Sequence, residues 1–289
     1  MIGTHLSLRL REGYKVFATY RHHRLKMSGV SFLPLNVEDR NWAKRIVYMA
    51  QPDIIIYAGG TNNIEEAELN PRAAQLLHAG GPATVSNVSE IFQPKFIYLS
   101  TCYAFDGTRG NYKETDTVLP ATALGKAKLG GENSVRTKSM NYLILRSSPV
   151  FGRGNGQNLS FLDRLRMSLD RGQRIEVAAH EGHSFAPVEG LVDVVSRLVD
   201  TGLKNKIIHY GGLTRLSYFQ FAQAFARKFK YDPALVVAQR VDQQKHVASE
   251  EFNEDYSLNS TNAVHLLKIK PLLMEESLDL IDQKLVPRL

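Results

Sequence analysis

What most constrains this chain is a repeated alternation of short β-branched or aromatic runs with helix-length amphipathic stretches. The runs fall at residues 15–20, 31–35, 53–58, 95–100 and 141–146. Asp53-Ile54-Ile55-Ile56-Tyr57-Ala58 is apolar on consecutive positions, the pattern of a strand covered on both faces. About a helix-length of sequence separates most of the runs, which predicts βαβ units, right-handed crossovers and a doubly wound parallel α/β sheet. At 289 residues with 43% hydrophobic content, the chain can bury a full core and carry a smaller second lobe.

Past residue 150 the rhythm loosens. A glycine-rich loop, Phe151-Gly152-Arg153-Gly154-Asn155-Gly156, precedes a helical pattern over 160–171. Residues 188–203 read as a helix, 206–210 as a strand, and 217–225 as an amphipathic helix with Ser217 as N-cap. The expected division is a nucleotide-binding domain over 1–150 and a substrate lobe over 151–289, with parts of 188–212 returning to the main sheet. The polar span 242–255 is expected to be a mobile loop, since it has almost no apolar residue to anchor it. The first segment is ambiguous: Leu6, Leu8 and Leu10 alternate like a strand, while Ile2, Leu6 and Leu10 share a helix face.

Composition narrows the partners. The net charge of +7 and pI near 9.4 come without a dense basic tract, which favours small anionic ligands over nucleic acid. No stretch approaches the ~20 apolar residues that span a bilayer, and the first residues lack a leader pattern. With Cys102 as the single cysteine, there is no disulfide framework, and a cytoplasmic location is expected.

The segment 99–132 carries the chemistry. It reads Leu-Ser-Thr-Cys-Tyr-Ala-Phe-Asp-Gly, then Asn111-Tyr112-Lys113-Glu114-Thr115-Asp116, then Leu124-Gly125-Lys126-Ala127-Lys128-Leu129-Gly130-Gly131-Glu132. These three ordered motifs resemble those of the dTDP-4-dehydrorhamnose reductase family of extended short-chain dehydrogenases. Its members carry S-T-D-Y-V-F-D-G, G-x-Y-x-E-x-D and Y-G-x-x-K-x-x-G-E at closely similar spacing. Further likeness lies in Pro52–Gly60, in Leu145-Arg146-Ser147-Ser148-Pro149-Val150-Phe151-Gly152, and in Tyr256-Ser257-Leu258-Asn259-Ser260-Thr261. The resemblance implies a Rossmann-type fold, a nicotinamide cofactor (NADP or NAD, with NADP favoured) and reduction of a keto sugar on a nucleotide. No metal and no nucleic-acid or membrane partner are expected, and a homodimer is allowed.

Carried over by position, the resemblance gives the carbonyl-positioning hydroxyl to Thr101, with Ser100 beside it, and the lysine role to Lys128. In such enzymes a tyrosine donates the proton, and the lysine ammonium lowers its pKa and holds the cofactor ribose. Here the tyrosine position is Leu124. Loss of a positioned acid costs about 100- to 10,000-fold in rate. Tyr103 and Tyr112 are the alternative donors in the same motif region, and the family's aspartate is Cys102, read as a core-filling thiol.

The cofactor side is expected at Gly3, Arg21, Asn36, Val37, Ala58, Gly59 and Lys128, and the substrate side at Tyr103, Tyr112, Arg146 and Asn158. Arg21 follows the second strand of the family's fold, where a cation meets a 2′-phosphate. The family's G-x-x-G-x-x-G loop is matched only at its end, by Gly3, so the first strand is absent and the expectation is a natural chain that begins further upstream. His78 stands where relatives often place asparagine. His180 and His183 form an H-x-x-H spacing without an evident third ligand. Two functions stay open: a sugar-nucleotide reductase (or epimerase/dehydratase) with its acid missing, or a non-catalytic nucleotide-binding or regulatory subunit, as the regulatory subunit of methionine adenosyltransferase is in this fold.

Overall fold

The structure, a computed structural model, describes residues 1–154, 159–239 and 254–283. Its first half runs α1 (Ile2–Leu10), β1 (Val16–Tyr20), β2 (Val30–Pro34), α2 (Arg40–Ala50), β3 (Ile54–Tyr57), α3 (Ile64–Leu69), α4 (Pro71–Gln75), α5 (Gly81–Ser89), β4 (Lys95–Thr101), α6 (Ala123–Lys138) and β5 (Tyr142–Ser147). The second runs β6 (Val150–Phe151), α7 (Phe161–Asp170), β7 (Ile175–Val177), β8 (Glu181–Gly182), β9 (Ala186–Pro187), α8 (Val188–Asp200), β10 (Lys206–Tyr210), α9 (Tyr218–Lys228), β11 (Val236–Ala238), β12 (Glu254–Asp255), α10 (Thr261–Leu267) and α11 (Met274–Gln283).

Strands β10, β5, β4 and β3 form one sheet in that order, all parallel. β4 sits between two partners and is covered on both faces. Ile97 and Leu99 pack with α8 residues Leu191 and Val195, and Phe96 and Tyr98 pack with Val85 of α5 and Val135 of α6. That double cover is why consecutive apolar residues were needed here. α1 settles the ambiguous first segment as helix. The face carrying Leu6 is drawn into the same core as Leu99 and Val195.

β1 and β2 pair in parallel as a separate two-stranded sheet. No described strand lies between β1 and β3. In a doubly wound sheet of order 3-2-1-4-5-6, that interval belongs to the first strand.

The second lobe uses short parallel pairs, β6 with β9, β7 with β11 and β8 with β12. Its core joins Phe151, Leu165, Phe221, Phe225 and Leu278. Helix α9 starts on a capping box in which Ser217 accepts from the Gln220 backbone N–H and the Gln220 side chain accepts from that of Ser217, so the aromatic stripe Tyr218, Phe221 and Phe225 serves that core. Within the polar span, residues 242–253 lie outside the described residues, and β12 ends it at Asp255.

Candidate functional site

The site forms where β4 ends. Thr101 closes the strand and its Oγ1 accepts from the Tyr103 backbone N–H at 3.4 Å, turning the chain into a single 3₁₀ turn, Cys102–Ala104. Helix α6 approaches from the side, capped by Thr122, whose hydroxyl accepts from Gly125 N at 3.0 Å. Gly125 permits the approach, since a Cβ there would stand 2.0 Å from the Tyr103 carbonyl. Leu124 and Lys128 then fall one turn apart on the same helix face.

Leu124 is 1% exposed and packs with Cys102, Tyr103, Phe105 and Tyr112. Its side chain is hydrocarbon and offers no hydroxyl at this position. Lys128, 4% exposed, donates from Nζ to Leu99 O at 2.9 Å and lies 5.6 Å from the Tyr98 ring centre. Burial depresses its pKa to about 8 against the opposing pull of Glu132, leaving an ammonium that loses its proton unusually readily.

Several residues expected at the chemistry do other work. Ser100 donates to Glu132 Oε1 at 2.5 Å, and Arg146 grips both oxygens of the same carboxylate, at 2.9 and 2.7 Å. Arg146 and Glu132 are both buried, and the remaining Arg146 nitrogen, Nη1, faces His209 Nε2 at 3.4 Å. Arg146 is thus a core ion pair and is not free for a substrate phosphate. Tyr112, also expected at the substrate, stacks on Phe105 at 4.2 Å and donates to Asp106 at 2.6 Å. Glu114 of the same motif accepts from His209 N at 2.9 Å and from Asn262 at 2.7 Å, tying the loop to β10 and α10.

Neither alternative tyrosine is poised as an acid. The Tyr103 hydroxyl is buried and donates to Glu181 at 3.0 Å, and burial, with the Tyr218 and Glu181 charges, pushes its pKa well above the phenol value. Burial and the bond to Asp106 push Tyr112 up likewise. The Cys102 thiol is raised to about 12 by burial, so it stays protonated and inert.

On the nucleotide side, Arg21 is exposed after β1 and pairs with Glu38 at 3.3 Å. His22, His23 and Arg24 are exposed beside it, a run of potential cations that the sequence reading passed over. Asn36 forms a short turn, its Oδ1 accepting from Glu38 N at 3.2 Å, and Val37 packs toward Tyr57. Ala58 and Gly59 follow β3 on the way to Gly60, which holds φ at +99°. No atom lies within 4 Å of where a Gly3 Cβ would stand, so no packing in the described chain requires glycine there. Asn158 lies outside the described residues.

The H-x-x-H pair acquires a carboxylate that its spacing hid. Glu181 lies between the two imidazoles, 3.5 Å from His180 and 3.0 Å from His183. Although burial opposes it, bonding to His183 and Tyr103 keeps the Glu181 carboxylate below its usual range. His183 is sandwiched among Tyr103, Tyr218 and Tyr256. The described residues hold no cluster of three or more such side chains able to bind a metal.

A parallel sheet wound on both faces, with Thr101 at a strand's C-terminal end and Lys128 on the following helix, defines a Rossmann-type short-chain dehydrogenase fold. A family model described as the RmlD substrate binding domain matches residues 1–283, and the chain belongs to that family. It is 26% identical over 236 residues to a dTDP-4-dehydrorhamnose reductase from Aggregatibacter actinomycetemcomitans, covering 81% of this chain and 78% of the relative. It is 28% identical over 237 residues to methionine adenosyltransferase 2 subunit beta from Bos taurus, covering 76% and 68%. The crystal structure of dTDP-4-dehydrorhamnose reductase from Bacillus anthracis in complex with NADP superposes with a TM-score of 0.78 at 21% identity, over 96% of this chain and 94% of that one. No helix among the described residues is long and apolar enough to cross a membrane.

Proposed function

We propose that this chain binds a nicotinamide nucleotide and a nucleotide-linked sugar in the manner of its reductase relatives, with the step that protonates the product crippled by Leu124. The observation that carries the reading is the split in one helix face: the lysine is present, buried and of lowered pKa, while one turn earlier the acid is replaced by hydrocarbon.

Fit to the cofactor differs between its two ends. At the ribose end, Lys128 supplies a buried ammonium and Ala58-Gly59-Gly60 supplies a backbone able to come close, which suits a sugar diol. At the phosphate end, the Arg21 loop, with Lys128 and Thr101, supplies the polar groups this chain would bring to the nucleotide. When bound, such a nucleotide supplies hydride to a carbonyl carbon. Thr101 would orient the carbonyl oxygen, and the exposed Arg21 beside His22, His23 and Arg24 supports a 2′-phosphate and hence NADP.

The second reading, a non-catalytic binding or regulatory subunit, is favoured by Leu124 itself and by the likeness to methionine adenosyltransferase 2 subunit beta from Bos taurus. One experiment separates the two. Calorimetric titration of NADPH and NADH into the full-length chain is followed by turnover of a 4-keto-6-deoxy sugar nucleotide with wild type and Leu124→Tyr. Binding, with turnover raised about 100-fold or more by the tyrosine, supports the reductase reading. No binding of either nucleotide overturns it and leaves the regulatory one.

A further inference from the structure

Helix α2 turns Ala43 and Val47 inward, onto Val88 of α5 and Phe92. Its outward face is not simply polar. Trp42, Arg45 and Met49 stand there at helical spacing, with Lys44 and Tyr48 on the adjoining flank, all of them exposed. The Tyr48 ring meets Phe92 edge-on at 5.3 Å, which joins the helix to the 3₁₀ turn Glu90–Phe92 and its protruding Ile91. Met49 and Ile91 are 55% and 69% exposed. Single exposed apolar residues are ordinary on a protein surface, but a joined group edged by charge marks an interaction surface.

The charge of this part of the chain is predominantly positive. Residues 1–45 carry nine Lys and Arg against three Asp and Glu, so +6 of the chain's +7 lies there. The acids that precede α2 are engaged: Glu38 pairs with Arg21 at 3.3 Å, and Asp39 caps the helix by accepting from Trp42 N at 3.0 Å. The Arg21–Glu38 pair also brings the exposed loop Arg21-His22-His23-Arg24 to the N-terminal end of α2. Lys44 lies over the Tyr48 ring at 5.3 Å, so its methylene stem and the phenol form one amphipathic unit with the ammonium at its edge.

We propose that α2 docks on an anionic lipid surface, lying along it with Trp42, Tyr48, Met49 and Ile91 at headgroup level and with Lys44 and Arg45 on the lipid phosphates. Trp and Tyr rings settle at that level because one end is apolar and the other is wet, and long cationic side chains lay their stems on hydrocarbon while the charge stays in water. The positive excess of residues 1–45 supplies the complementary charge. Lipid suits the face better than a nucleic acid does, because Met49 and Ile91 offer no ring on which a base could stack. Lying on a bilayer needs no spanning segment, so the docking is compatible with helices too short to cross one. It makes no use of the nicotinamide nucleotide and stands or falls apart from that reading.

Trp42 is the only tryptophan of the chain, so intrinsic fluorescence reports this face directly. The full-length chain is mixed with vesicles of phosphatidylcholine and phosphatidylserine, and with pure phosphatidylcholine vesicles as the control. The expected result is co-sedimentation with the anionic vesicles alone, a blue shift of Trp42 emission, quenching by lipids brominated on their acyl chains, and release as salt rises. Lys44→Gln/Arg45→Gln changes only exposed positions and is expected to weaken partitioning about 30-fold, each cation near such a surface being worth about fivefold. Met49→Ser/Ile91→Ser keeps the charge and is expected to lose the quenching by brominated chains. Wild type that stays in the supernatant with unshifted Trp42 emission overturns the proposal. So does a Trp42 response to a single-stranded oligonucleotide with none to vesicles, which gives the face to nucleic acid. Vesicle binding that both double variants keep unchanged also overturns it, since the contact then lies elsewhere on the basic surface.

Discussion

Replacing Arg146 with methionine separates a structural arginine from a ligand-binding one. Both members of the Arg146–Glu132 pair are almost wholly buried, 2% and 0% exposed, and two of the bonds between them are 2.9 and 2.7 Å. Arg146→Met keeps most of the side-chain volume but leaves the Glu132 carboxylate with only Ser100 as a hydrogen-bond donor among the described residues. A buried charge stripped of its partner costs about 3–5 kcal/mol. For a chain of this size that corresponds to a melting temperature lower by about 5–8 °C. The double variant Arg146→Met/Glu132→Leu removes both charges and is expected to regain most of the loss. Thermal and urea unfolding of wild type, both single variants and the double variant give the coupling directly. A variant Arg146→Met that melts like wild type yet binds a sugar nucleotide tenfold more weakly would refute the structural assignment and return Arg146 to the ligand.

Two further outcomes follow from the described contacts. Lys95 donates to the carbonyls of Leu198, Val199 and Thr201 at 3.2, 2.7 and 2.5 Å, closing the C-terminus of α8. Lys95→Met is therefore expected to cost about 1–3 kcal/mol, with faster amide hydrogen exchange in the last turn of α8 and unchanged exchange in α7. His78 and His209 are both held near a pKa of about 3, chiefly by burial, with the Lys128 and Arg146 charges respectively as second causes. Unfolded, each takes up a proton near 6.5, so unfolding binds protons in acid and stability falls as pH drops below about 6.5. The loss is roughly 2 kcal/mol per imidazole at pH 5. Unfolding free energies between pH 7 and 5 measure it, and His209→Asn is expected to flatten the slope by about half.

Much of the fold was legible because it depends on patterns that act locally. The runs at 53–58 and 95–100 became β3 and β4 since a doubly covered strand leaves no polar position to interrupt them. Ser217 capped α9 through bonds spanning three residues, which a sequence displays openly. The site was legible only in part. Thr101 ends β4, and Leu124 and Lys128 lie one turn apart on α6, but the partners of Arg146 and Tyr103 could not be read along the chain. Arg146 meets Glu132 across the α6–β5 connection, and Tyr103 meets Glu181 almost eighty positions away. Such long-range pairings are set by packing, and a lone cation or phenol in sequence carries no mark of whether it faces a ligand or a carboxylate.

The residues that make the family resemblance strong are largely the ones that hold the fold. Tyr112 clamps Asp106, Glu114 joins the loop to β10 and α10, and Glu132 anchors Ser100 and Arg146. Each would destabilise the chain if lost, so each is retained whether or not a reaction is performed. Leu124 makes no hydrogen bond of this kind: its buried side chain contributes packing alone, with no hydroxyl to satisfy. A chain released from catalysis would therefore be expected to keep the scaffold motifs and lose a catalytic acid first. Retained motifs thus speak for the architecture, and the competence of the site turns on the one position where the architecture is indifferent.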